Sequence, residues 1–402
     1  MMPKMNKWKE KKLEEICLLI SRGISPQYTE NGILIMNQKC IRDNKVDLSL
    51  CKYTNINTKI SNEKFVQDGD IVVNSTGTGT LGRTAIFKLN IQVTVDSHIT
   101  IIRPNTNVNK YYLGYFLHSI ESIIENFGKG STNQKELAVK DLKSLKVKFP
   151  DLSTQKRIVD ILSNYDDLIE NNNRRIALLE NAAQNLYKEW FVHFRFPGYE
   201  QVKFQNGLPQ GWKVNILGKF GHIETGKTPS TAITENYGDK IMFIKTPDMH
   251  NKVFIIETDE MLSYQGHKTQ SKKLLPPNSI MVSCIGTGGV VAINAEKAHT
   301  NQQINSIILN DVKYLEWLYF SCKELKSTIE LFGATGATMT NLSKGKFEKL
   351  KILNPPQRLI YDFNKRTVNI FNSIKNYMKQ NQNLKKQRDL LLPRLMSGKL
   401  EV

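Results

Sequence analysis

The sequence predicts an α+β protein in which two repeated mixed domains are separated by two long helices that form an antiparallel coiled coil. Three observations lead to this prediction. Motifs recur at a spacing of about 205 residues, each copy begins with short β-branched runs between glycine-rich turns, and each copy ends in a long heptad pattern. The length of 402 residues and the 40% hydrophobic content suit several globular units and exclude a disordered chain.

The internal repeat is the strongest of the three signals. The tryptophan at Trp8 recurs as Trp212 with the same lysine after it. Further along, a single offset of about 205 residues relates positions 127–150 to positions 332–355. Chance similarity does not preserve both order and offset over such a length, so we infer that the chain is duplicated.

Each copy begins with a mixed domain. Short β-branched runs, for example 71–73, 93–95 and 304–309, predict strands, whereas residues 112–126 and 315–329 show helical periodicity. The predicted boundaries are 1–150 for the first mixed domain, 151–196 for the central helix, 197–211 for a linker, 212–353 for the second mixed domain and 354–402 for the C-terminal helix.

Each copy then continues into a long helix with an apolar seam. Alternating steps of three and four residues select mostly apolar positions over four or more heptads, which is typical of a coiled coil. Pro150 and Pro355-Pro356 stop the strands before the helices, and Pro393 predicts the end of the second helix. The predicted seam positions are Ile158, Leu162, Tyr165, Ile169, Asn172, Ile176, Leu179, Leu186 and Trp190 in the first helix, and Ile360, Phe363, Ile370, Ile374, Tyr377, Asn381, Leu384 and Leu391 in the second.

Two similar seams in one chain favour burial of each helix against the other. A globular domain lies between them in sequence, so we expect the helices to run antiparallel. The alternative is that each helix packs only on its own domain. Asn172 and Asn381 fall on the seams, where a buried polar residue can fix the register; otherwise they simply face water.

The charge balance predicts a polyanionic partner. The chain has a net charge of +18, and both mixed domains are positive while the first helix is not. The longest apolar runs are far too short to span a membrane, so nucleic acid is favoured over an anionic membrane. Five cysteines without a C-x-x-C pair argue against a disulfide framework and a cysteine zinc site, and indicate a cytoplasmic protein.

Three short motifs could indicate catalysis, and each lacks its required context. Residues 221–228 match the P-loop pattern, but Pro229 follows in place of a helix. Residues 77–82 match G-x-G-x-x-G, yet the residues after them predict a strand. The tetrapeptide 354–357 resembles that of amino-methyltransferases, but Gln357 lacks the aromatic ring that stacks a flipped base. The histidines show no metal-binding spacing, so we predict no catalytic residue and no metal site.

Five segments, 77–82, 178–198, 208–212, 226–230 and 391–400, give the chain a specific likeness over essentially its whole length. It resembles the specificity subunit of type I restriction-modification enzymes. The resemblance implies two target-recognition domains that each read one half of a bipartite, asymmetric site in double-stranded DNA. It also implies that the chain is no enzyme and binds no cofactor. Two modification subunits would bring S-adenosylmethionine and methylate adenine, and restriction subunits would use ATP and magnesium for translocation and cleavage.

Base readout requires polar and cationic side chains on loops that face the DNA groove. A first helix over 154–190 would span about 55 Å at 1.5 Å per residue, which is longer than one turn of DNA. The length of this spacer is therefore expected to set the gap between the half-sites. The candidate DNA-binding residues are Arg22, Lys39, Asn74, Ser75, Thr76, Thr78, Arg83, Lys129, Ser131, Thr132 and Asn133 in the first domain, and Lys227, Lys245, His250, Thr287, Thr335 and Thr338 in the second.

The aromatic residues Trp190, Phe191 and Phe194 at the end of the first helix are candidate docking sites for the modification subunits. Alternatively, they close the core at the helix end. Two other functions also stay open. One is a stand-alone DNA enzyme, either an amino-methyltransferase or an NTPase, and the other is a coiled-coil adaptor that binds no DNA.

Overall fold

The chain folds into two units, and both long helices contribute to each unit. Unit 1 contains residues up to 167 together with 384–402, and unit 2 contains residues 168–383. The structure, a computed structural model, describes residues 8–130, 135–333 and 340–402. Within these residues no helix is both long and apolar enough to cross a membrane.

The mixed part of unit 1 contains twelve strands and three helices within the described residues. The strands are β1 (Lys9–Lys12), β2 (Cys17–Arg22), β3 (Tyr28–Thr29), β4 (Ile33–Met36), β5 (Ile41–Arg42), β6 (Lys45–Val46), β7 (Lys52–Thr54), β8 (Ile71–Asn74), β9 (Thr84–Ile86), β10 (Thr94–Val95), β11 (Ile99–Pro104) and β12 (Lys146–Phe149). The helices are α1 (Lys110–Ser119), α2 (Glu121–Asn126) and α3 (Val139–Lys143).

Two four-stranded sheets organise unit 1. The central sheet has the order β2-β11-β8-β9 and is antiparallel throughout, whereas the second sheet has the order β10-β4-β7-β3. Strand β8 reads Ile-Val-Val-Asn and is buried along its whole length, as the predicted β-branched run requires. Helix α1 begins after Asn109, whose side chain accepts hydrogen bonds from the backbone of Tyr111 and Tyr112.

Unit 2 repeats this plan with additional short elements. The first long helix leads into it as α4 (Leu152–Tyr187) and ends in a π-helical turn at Lys188–Val192. The further strands are β13 (Phe204–Gln205), β14 (Leu208–Pro209), β15 (Lys213–Ile216), β16 (Gly221–Thr225), β17 (Tyr237–Gly238), β18 (Ile241–Ile244), β19 (Phe254–Ile255), β20 (Met261–Leu262), β21 (Ile280–Ser283), β22 (Ile285–Gly286), β23 (Val291–Asn294), β24 (Ala298–Thr300), β25 (Ile304–Leu309), β26 (Thr340–Asn341) and β27 (Lys351–Asn354). The helices are α5 (Thr246–Met249), α6 (Tyr264–Lys268), α7 (Leu315–Glu324), α8 (Lys326–Gly333), α9 (Lys344–Glu348) and α10 (Gln357–Met396).

The central sheet of unit 2 has the order β16-β25-β21-β23-β19, and a second sheet has the order β17-β20-β18-β24. Helix α7 is buried from Leu315 to Cys322, as the predicted helical pattern at this position requires. The duplication is also visible in strand register. Glu10 pairs with Lys148 in the β1-β12 ribbon, and the corresponding Val214 pairs with Leu353 in the β15-β27 ribbon.

The predicted antiparallel pair of long helices is confirmed. In unit 2, Asn172 of α4 donates a hydrogen bond from Nδ2 to Oδ1 of Asn381 in α10 over 2.9 Å. Further along α4, Arg175 donates to the Tyr377 hydroxyl, and the Tyr187 ring contacts that of Phe363. The partner position falls as the position in α4 rises, so the helices run in opposite directions. Every predicted seam residue is buried or half-buried.

A buried ion pair joins the helices to the mixed domain in unit 1. Arg388 of α10 donates from Nη1 to Oδ1 of Asp166 in α4 over 2.6 Å, and the Tyr115 hydroxyl of α1 donates to Oδ2 of the same carboxylate over 2.5 Å. The side chains of Arg388 and Asp166 are 11% and 14% exposed. Removal of one partner would therefore leave a charge largely shielded from water.

The prediction that Pro393 ends the second helix is wrong. Helix α10 continues to Met396, with Pro393 inside its last turn. A proline there removes one backbone hydrogen bond. The helix continues because Leu392, Leu395 and Met396 are all buried in the core of unit 1.

Candidate nucleic-acid interface

Loops converge at one end of the central sheet in unit 1. Arg22 at the end of β2 pairs with Thr100 of β11, and Asn74 at the end of β8 pairs with Ile99. Because the strands are antiparallel, the segments 23–27, 75–83 and 96–98 all leave the sheet at this end. We call these three segments the loop end of unit 1.

Side chains support the base of the longest segment, 75–83. Thr76 Oγ1 is 2.8 Å from His98 Nδ1 and 3.4 Å from Gln38 Oε1. Gly77 has a φ of +102°, which L side chains rarely adopt, and a Cβ there would lie 2.5 Å from Gln38 Oε1, so another residue would strain the backbone and displace the Gln38 side chain. The loop is therefore fixed at its base and presents Thr78 at its exposed tip.

The Arg22 side chain joins segments of unit 1 through hydrogen bonds at the loop end. Its guanidinium donates to the carbonyl oxygens of Ser97 and Leu137, over 2.8 and 2.7 Å, and to Glu136 Oε1 over 2.9 Å. The backbone of Glu136 also forms bridges with Thr76 and Lys129. The side chain of Arg22 is only 21% exposed. The sequence prediction made it a base reader, whereas in this structure its donors hold three segments together.

Two other candidates are interior residues. Asn74 and Ser75 are both fully buried. Asn74 Nδ2 donates to the Gln38 carbonyl over 3.0 Å, and Ser75 Oγ lies 2.6 Å from Thr100 Oγ1. The expectation that these side chains face a ligand does not hold, because burial extends through Asn74, the last residue of β8, to Ser75 directly after it.

The remaining candidates of unit 1 differ in exposure. Lys39, Thr78 and Lys129 are exposed, and Thr76 and Arg83 are half-buried. Lys129 forms an ion pair of 3.3 Å with Asp141, which is weak because the lysine side chain is 73% exposed. Ser131, Thr132 and Asn133 lie outside the described residues. DNA contact by the exposed residues stays a prediction.

Unit 2 has a loop end at the same place in its central sheet. Thr225 at the end of β16 pairs with Asn305 of β25, and Ser283 at the end of β21 pairs with Ile304. The segments 226–230, 284–290 and 301–303 leave the sheet there, and we call them the loop end of unit 2.

Two candidates lie on this loop end and are exposed. Lys227 donates its backbone N–H to the Thr300 carbonyl over 2.9 Å, while its side chain faces solvent. The preceding Gly226 admits no side chain, because a Cβ would lie 2.2 Å from the Asn301 carbonyl oxygen. No helix follows Lys227, so the P-loop pattern here is a turn. Thr287 is exposed at the tip of segment 284–290.

Lys245 and His250, two further DNA-binding candidates of unit 2, lie outside the segments of its loop end. Lys245 is half-buried and forms an ion pair with Glu260, which offsets its charge. It precedes Thr246, whose hydroxyl lies 3.4 Å from Gln303 Oε1 on the loop end. His250 is exposed just after α5. Thr335 and Thr338 lie outside the described residues.

A histidine pair lies in unit 2, outside the segments of its loop end. His267 Nδ1 is 2.9 Å from His299 Nε2, and His299 is fully buried. Burial, together with the charge of His267, lowers the pKa of His299 from 6.5 to about 4. His299 is therefore neutral at physiological pH. Among the described residues, no group of three or more His, Cys, Asp or Glu side chains is placed to hold a metal ion.

The aromatic residues proposed for partner docking are part of the core. Trp190 and Phe191 are each 4% exposed and contact the Phe363 ring at centroid distances of 5.9 and 5.1 Å. Phe194 is half-buried and meets Trp212 edge-to-face at 5.0 Å. Trp190 and Phe191 therefore close the core at the end of the first long helix. This was the alternative to partner docking in the sequence analysis.

The sequence prediction missed several residues that shape the loop ends. His98 and Gln38 support Thr76 in unit 1, and Gln302 accepts a hydrogen bond from Thr228 in unit 2. The duplication carried a usable signal, because His98 and Gln303 occupy the corresponding positions directly before β11 and β25, and Gln302 adjoins the second of them. Together the loop ends present hydroxyl, amide, imidazole and ammonium groups, the chemistry that reads base edges and phosphates.

Comparisons with known proteins agree with this geometry. Residues 5–181 and 209–387 match the family model described as type I restriction modification DNA specificity domain. The chain is 32% identical to the HindI type I restriction enzyme specificity subunit of Haemophilus influenzae, over 98% of this chain and 100% of that protein. It is 29% identical to the MjaIX specificity subunit of Methanocaldococcus jannaschii, over 80% and 76%. A crystal structure of the S subunit of a type I system from M. genitalium shares the fold, with a TM-score of 0.58, 16% identity and coverage of 98% and 97%.

Proposed function

Because the chain belongs to the type I restriction modification DNA specificity domain family, we propose that it is the DNA-recognition subunit of a type I restriction-modification complex. Each loop end reads one half of a bipartite DNA site, and the paired helices α4 and α10 set the gap between the halves. The protein acts on genomic DNA in the cytoplasm.

One observation carries this proposal. The same end of the same sheet projects loops in both units, and the two sets of loops present different side chains. Unit 1 offers Thr78 on its loop end, with Lys39 and Lys129 exposed on segments that adjoin Thr76, while unit 2 offers Lys227 and Thr287. Two similar scaffolds with different surfaces suit a site whose halves differ in sequence. The net charge of +18 favours contact with phosphates at both halves.

The chemistry is assigned to other subunits. Two modification subunits bind S-adenosylmethionine and methylate adenine, and restriction subunits use ATP and magnesium for translocation and cleavage. This chain supplies no catalytic residue and holds no cofactor. This division of labour rests on the family to which the chain belongs.

The decisive experiment is co-expression with the neighbouring modification subunit, followed by genome-wide mapping of methylated adenines. We expect an asymmetric motif in two parts with a fixed gap. The double variant Lys39→Ala/Thr78→Ala should relax only one half of the motif, and Lys227→Ala/Thr287→Ala only the other. A continuous motif, or a change in both halves with either variant, would contradict the proposal.

Two alternatives make different predictions. A stand-alone methyltransferase or NTPase would bind S-adenosylmethionine or ATP as the purified chain, which calorimetry would detect. A coiled-coil adaptor without DNA affinity would show no salt-dependent DNA binding. The proposed function instead predicts affinity that falls steeply between about 50 and 200 mM salt, since several phosphate contacts release counterions.

A further inference from the structure

One turn recurs at the loop ends of both units with the same hydrogen-bonded backbone. It comprises residues 96–98, directly before β11 in unit 1, and residues 301–303, directly before β25 in unit 2. The two segments are separated by 205 residues, the offset that also relates 127–150 to 332–355. We call residues 96–98 and 301–303 the equivalent turns.

In unit 1 the turn fixes the backbone of His98 and one nitrogen of its ring. The Asp96 Oδ1 accepts from the His98 N–H over 2.9 Å, and the His98 carbonyl oxygen accepts from the Ser75 N–H over 2.8 Å. The ring Nδ1 lies 2.8 Å from Thr76 Oγ1. The other ring nitrogen, Nε2, has no hydrogen-bond partner among the described residues, and the side chain is exposed. One ring nitrogen is therefore anchored, while the other is available to a ligand.

In unit 2 the corresponding backbone bonds hold Gln303. The Asn301 Oδ1 accepts from the Gln303 N–H over 3.2 Å, and the Gln303 carbonyl oxygen accepts from the Cys284 N–H over 2.7 Å. Because a backbone N–H can only donate, the Asn301 atom that faces it is the oxygen. The Asn301 Nδ2 is then left to donate to the Gln303 Oε1 over 3.0 Å, and the Thr246 hydroxyl lies 3.4 Å from the same oxygen.

This pattern determines which end of the Gln303 side chain is free. Its Oε1 faces donors of the scaffold, so the amide NH₂ group points elsewhere. A Cβ on Gly286 would lie 3.8 Å from the Gln303 Nε2, which places the NH₂ group beside segment 284–290 of the loop end. No residue in the described part of the chain accepts a hydrogen bond from it. Gln303 is half-buried and anchored through its oxygen, so its N–H donors are oriented before any ligand binds.

We infer that His98 and Gln303 are equivalent base-reading residues, one for each half of the DNA site. The inference rests on the proposed function and deepens it, because it assigns a specificity-determining position to each loop end. The equivalent turns deliver both side chains to corresponding places, and the side chains differ, as the halves of an asymmetric site require. Gln303 offers N–H donors, which match acceptor atoms of bases in the major groove such as guanine N7 and O6. His98 offers a single ring nitrogen.

The substitution Gln303→Glu tests the assignment in unit 2 with little structural change. Glutamate keeps an oxygen for the Asn301 Nδ2 and the Thr246 hydroxyl, but it replaces the N–H donors by a second acceptor. In the complex with the neighbouring modification subunit, genome-wide mapping of methylated adenines should show a changed preference at one base pair. That base pair should lie in the half that Lys227→Ala/Thr287→Ala relaxes.

Competition binding measures the size of the effect. Duplexes that carry each of the four base pairs at this position compete for the same complex, at a temperature well below the melting transition of each variant. With Gln303→Glu, discrimination among them should fall at least about fivefold, the low end for a well-placed base contact. Repulsion between the new carboxylate and DNA phosphates would lower affinity for all duplexes alike, so it does not affect this ratio.

The substitution His98→Gln is the corresponding test in unit 1, since it places the side chain of unit 2 on the equivalent turn. The change in the motif should be confined to one base pair of the half that Lys39→Ala/Thr78→Ala relaxes. The controls Gln205→Glu and His222→Gln make the same chemical changes at exposed positions outside the segments of both loop ends. Both controls should leave the motif and the discrimination unchanged.

Three results would overturn the inference. They are an unchanged motif with either variant, a change in both halves from one of them, and an equal loss of affinity for every duplex, which is the behaviour of a phosphate contact. Each of these leaves the two-part motif of the wild-type chain, and hence the proposed function, intact. If the wild-type chain directs methylation to no two-part motif, the proposed function fails and this inference fails with it.

Discussion

The hydrogen-bonded asparagine pair between the long helices yields the most direct stability prediction. Asn172 and Asn381 are 8% and 7% exposed, and the Asn172 Nδ2 donates to the Asn381 Oδ1 over 2.9 Å. Asn381 donates in turn to Asn173 Oδ1 over 2.9 Å and weakly to the Ile169 carbonyl. Replacement of Asn381 by leucine leaves the Asn172 amide buried without its acceptor. We expect this change to cost about 1–3 kcal/mol of unfolding free energy.

The double variant Asn172→Leu/Asn381→Leu should behave differently from either single variant. Both polar groups are then replaced by apolar ones, so no buried amide lacks a partner, and stability should return to the wild-type value or exceed it. The two single changes are therefore strongly non-additive. Urea denaturation followed by tryptophan fluorescence measures this cycle, since three of the four tryptophans, Trp190, Trp212 and Trp317, lie in unit 2 with the asparagine pair.

The exposed Asn376 on the same helix provides the control. Asn376→Leu should change the unfolding free energy by no more than about 0.5 kcal/mol. The reasoning fails if both single variants are as stable as the wild type, or if the double variant is the least stable of the set. In the double variant no buried polar pair fixes the register of α4 against α10. Under the proposed function, the methylated motif should then show more than one gap length.

Further predictions follow from other buried groups. Arg388→Met should destabilise unit 1 by about 3–5 kcal/mol, since Asp166 is left as a buried carboxylate without its cation; calorimetry should show a much smaller loss for the double variant with Asp166→Asn. The folded-state pKa of His299, about 4, lies below the ordinary 6.5, so the unfolded chain binds more protons between these values. Stability should be complete above about pH 6.5 and fall by at most about 3 kcal/mol as the pH drops to 4, and His299→Gln should remove this dependence. Arg22→Gln should lower the melting temperature, because it loses three hydrogen bonds, whereas Lys39→Gln should leave it unchanged and reduce the salt slope of DNA binding by about 1.

The helices show how much of this fold could be predicted from sequence. A heptad pattern is a local property, and it gave the seam positions from Ile158 to Leu391 correctly. It also placed Asn172 and Asn381 on the seam, but not their contact, which depends on the relative register of two helices far apart in sequence. The end at Pro393 was wrong because burial of Leu395 and Met396 outweighs the loss of one hydrogen bond.

The candidate site was less predictable, for a physical reason. Residue type and position near a glycine-rich turn cannot distinguish a side chain that faces solvent from one that holds the turn. Arg22 has the donors of a base reader, but the carbonyls that it contacts belong to residues more than 70 positions away in sequence. Asn74 is the last residue of β8 and Ser75 follows it directly, and both are buried, whereas Thr78, three residues further along the same motif, is exposed.

Duplication followed by divergence of the surface explains why two units with similar backbones expose different side chains. The β1-β12 and β15-β27 ribbons share one register, but Glu10, which forms an ion pair with Lys146 in the first, is replaced by Val214 in the second, where Lys351 stands at the position of Lys146. Substitutions of this kind cost little while the backbone hydrogen bonds are kept, since exposed pairs contribute about 1 kcal/mol or less. The backbone can therefore stay constant while the exposed side chains of the two loop ends differ.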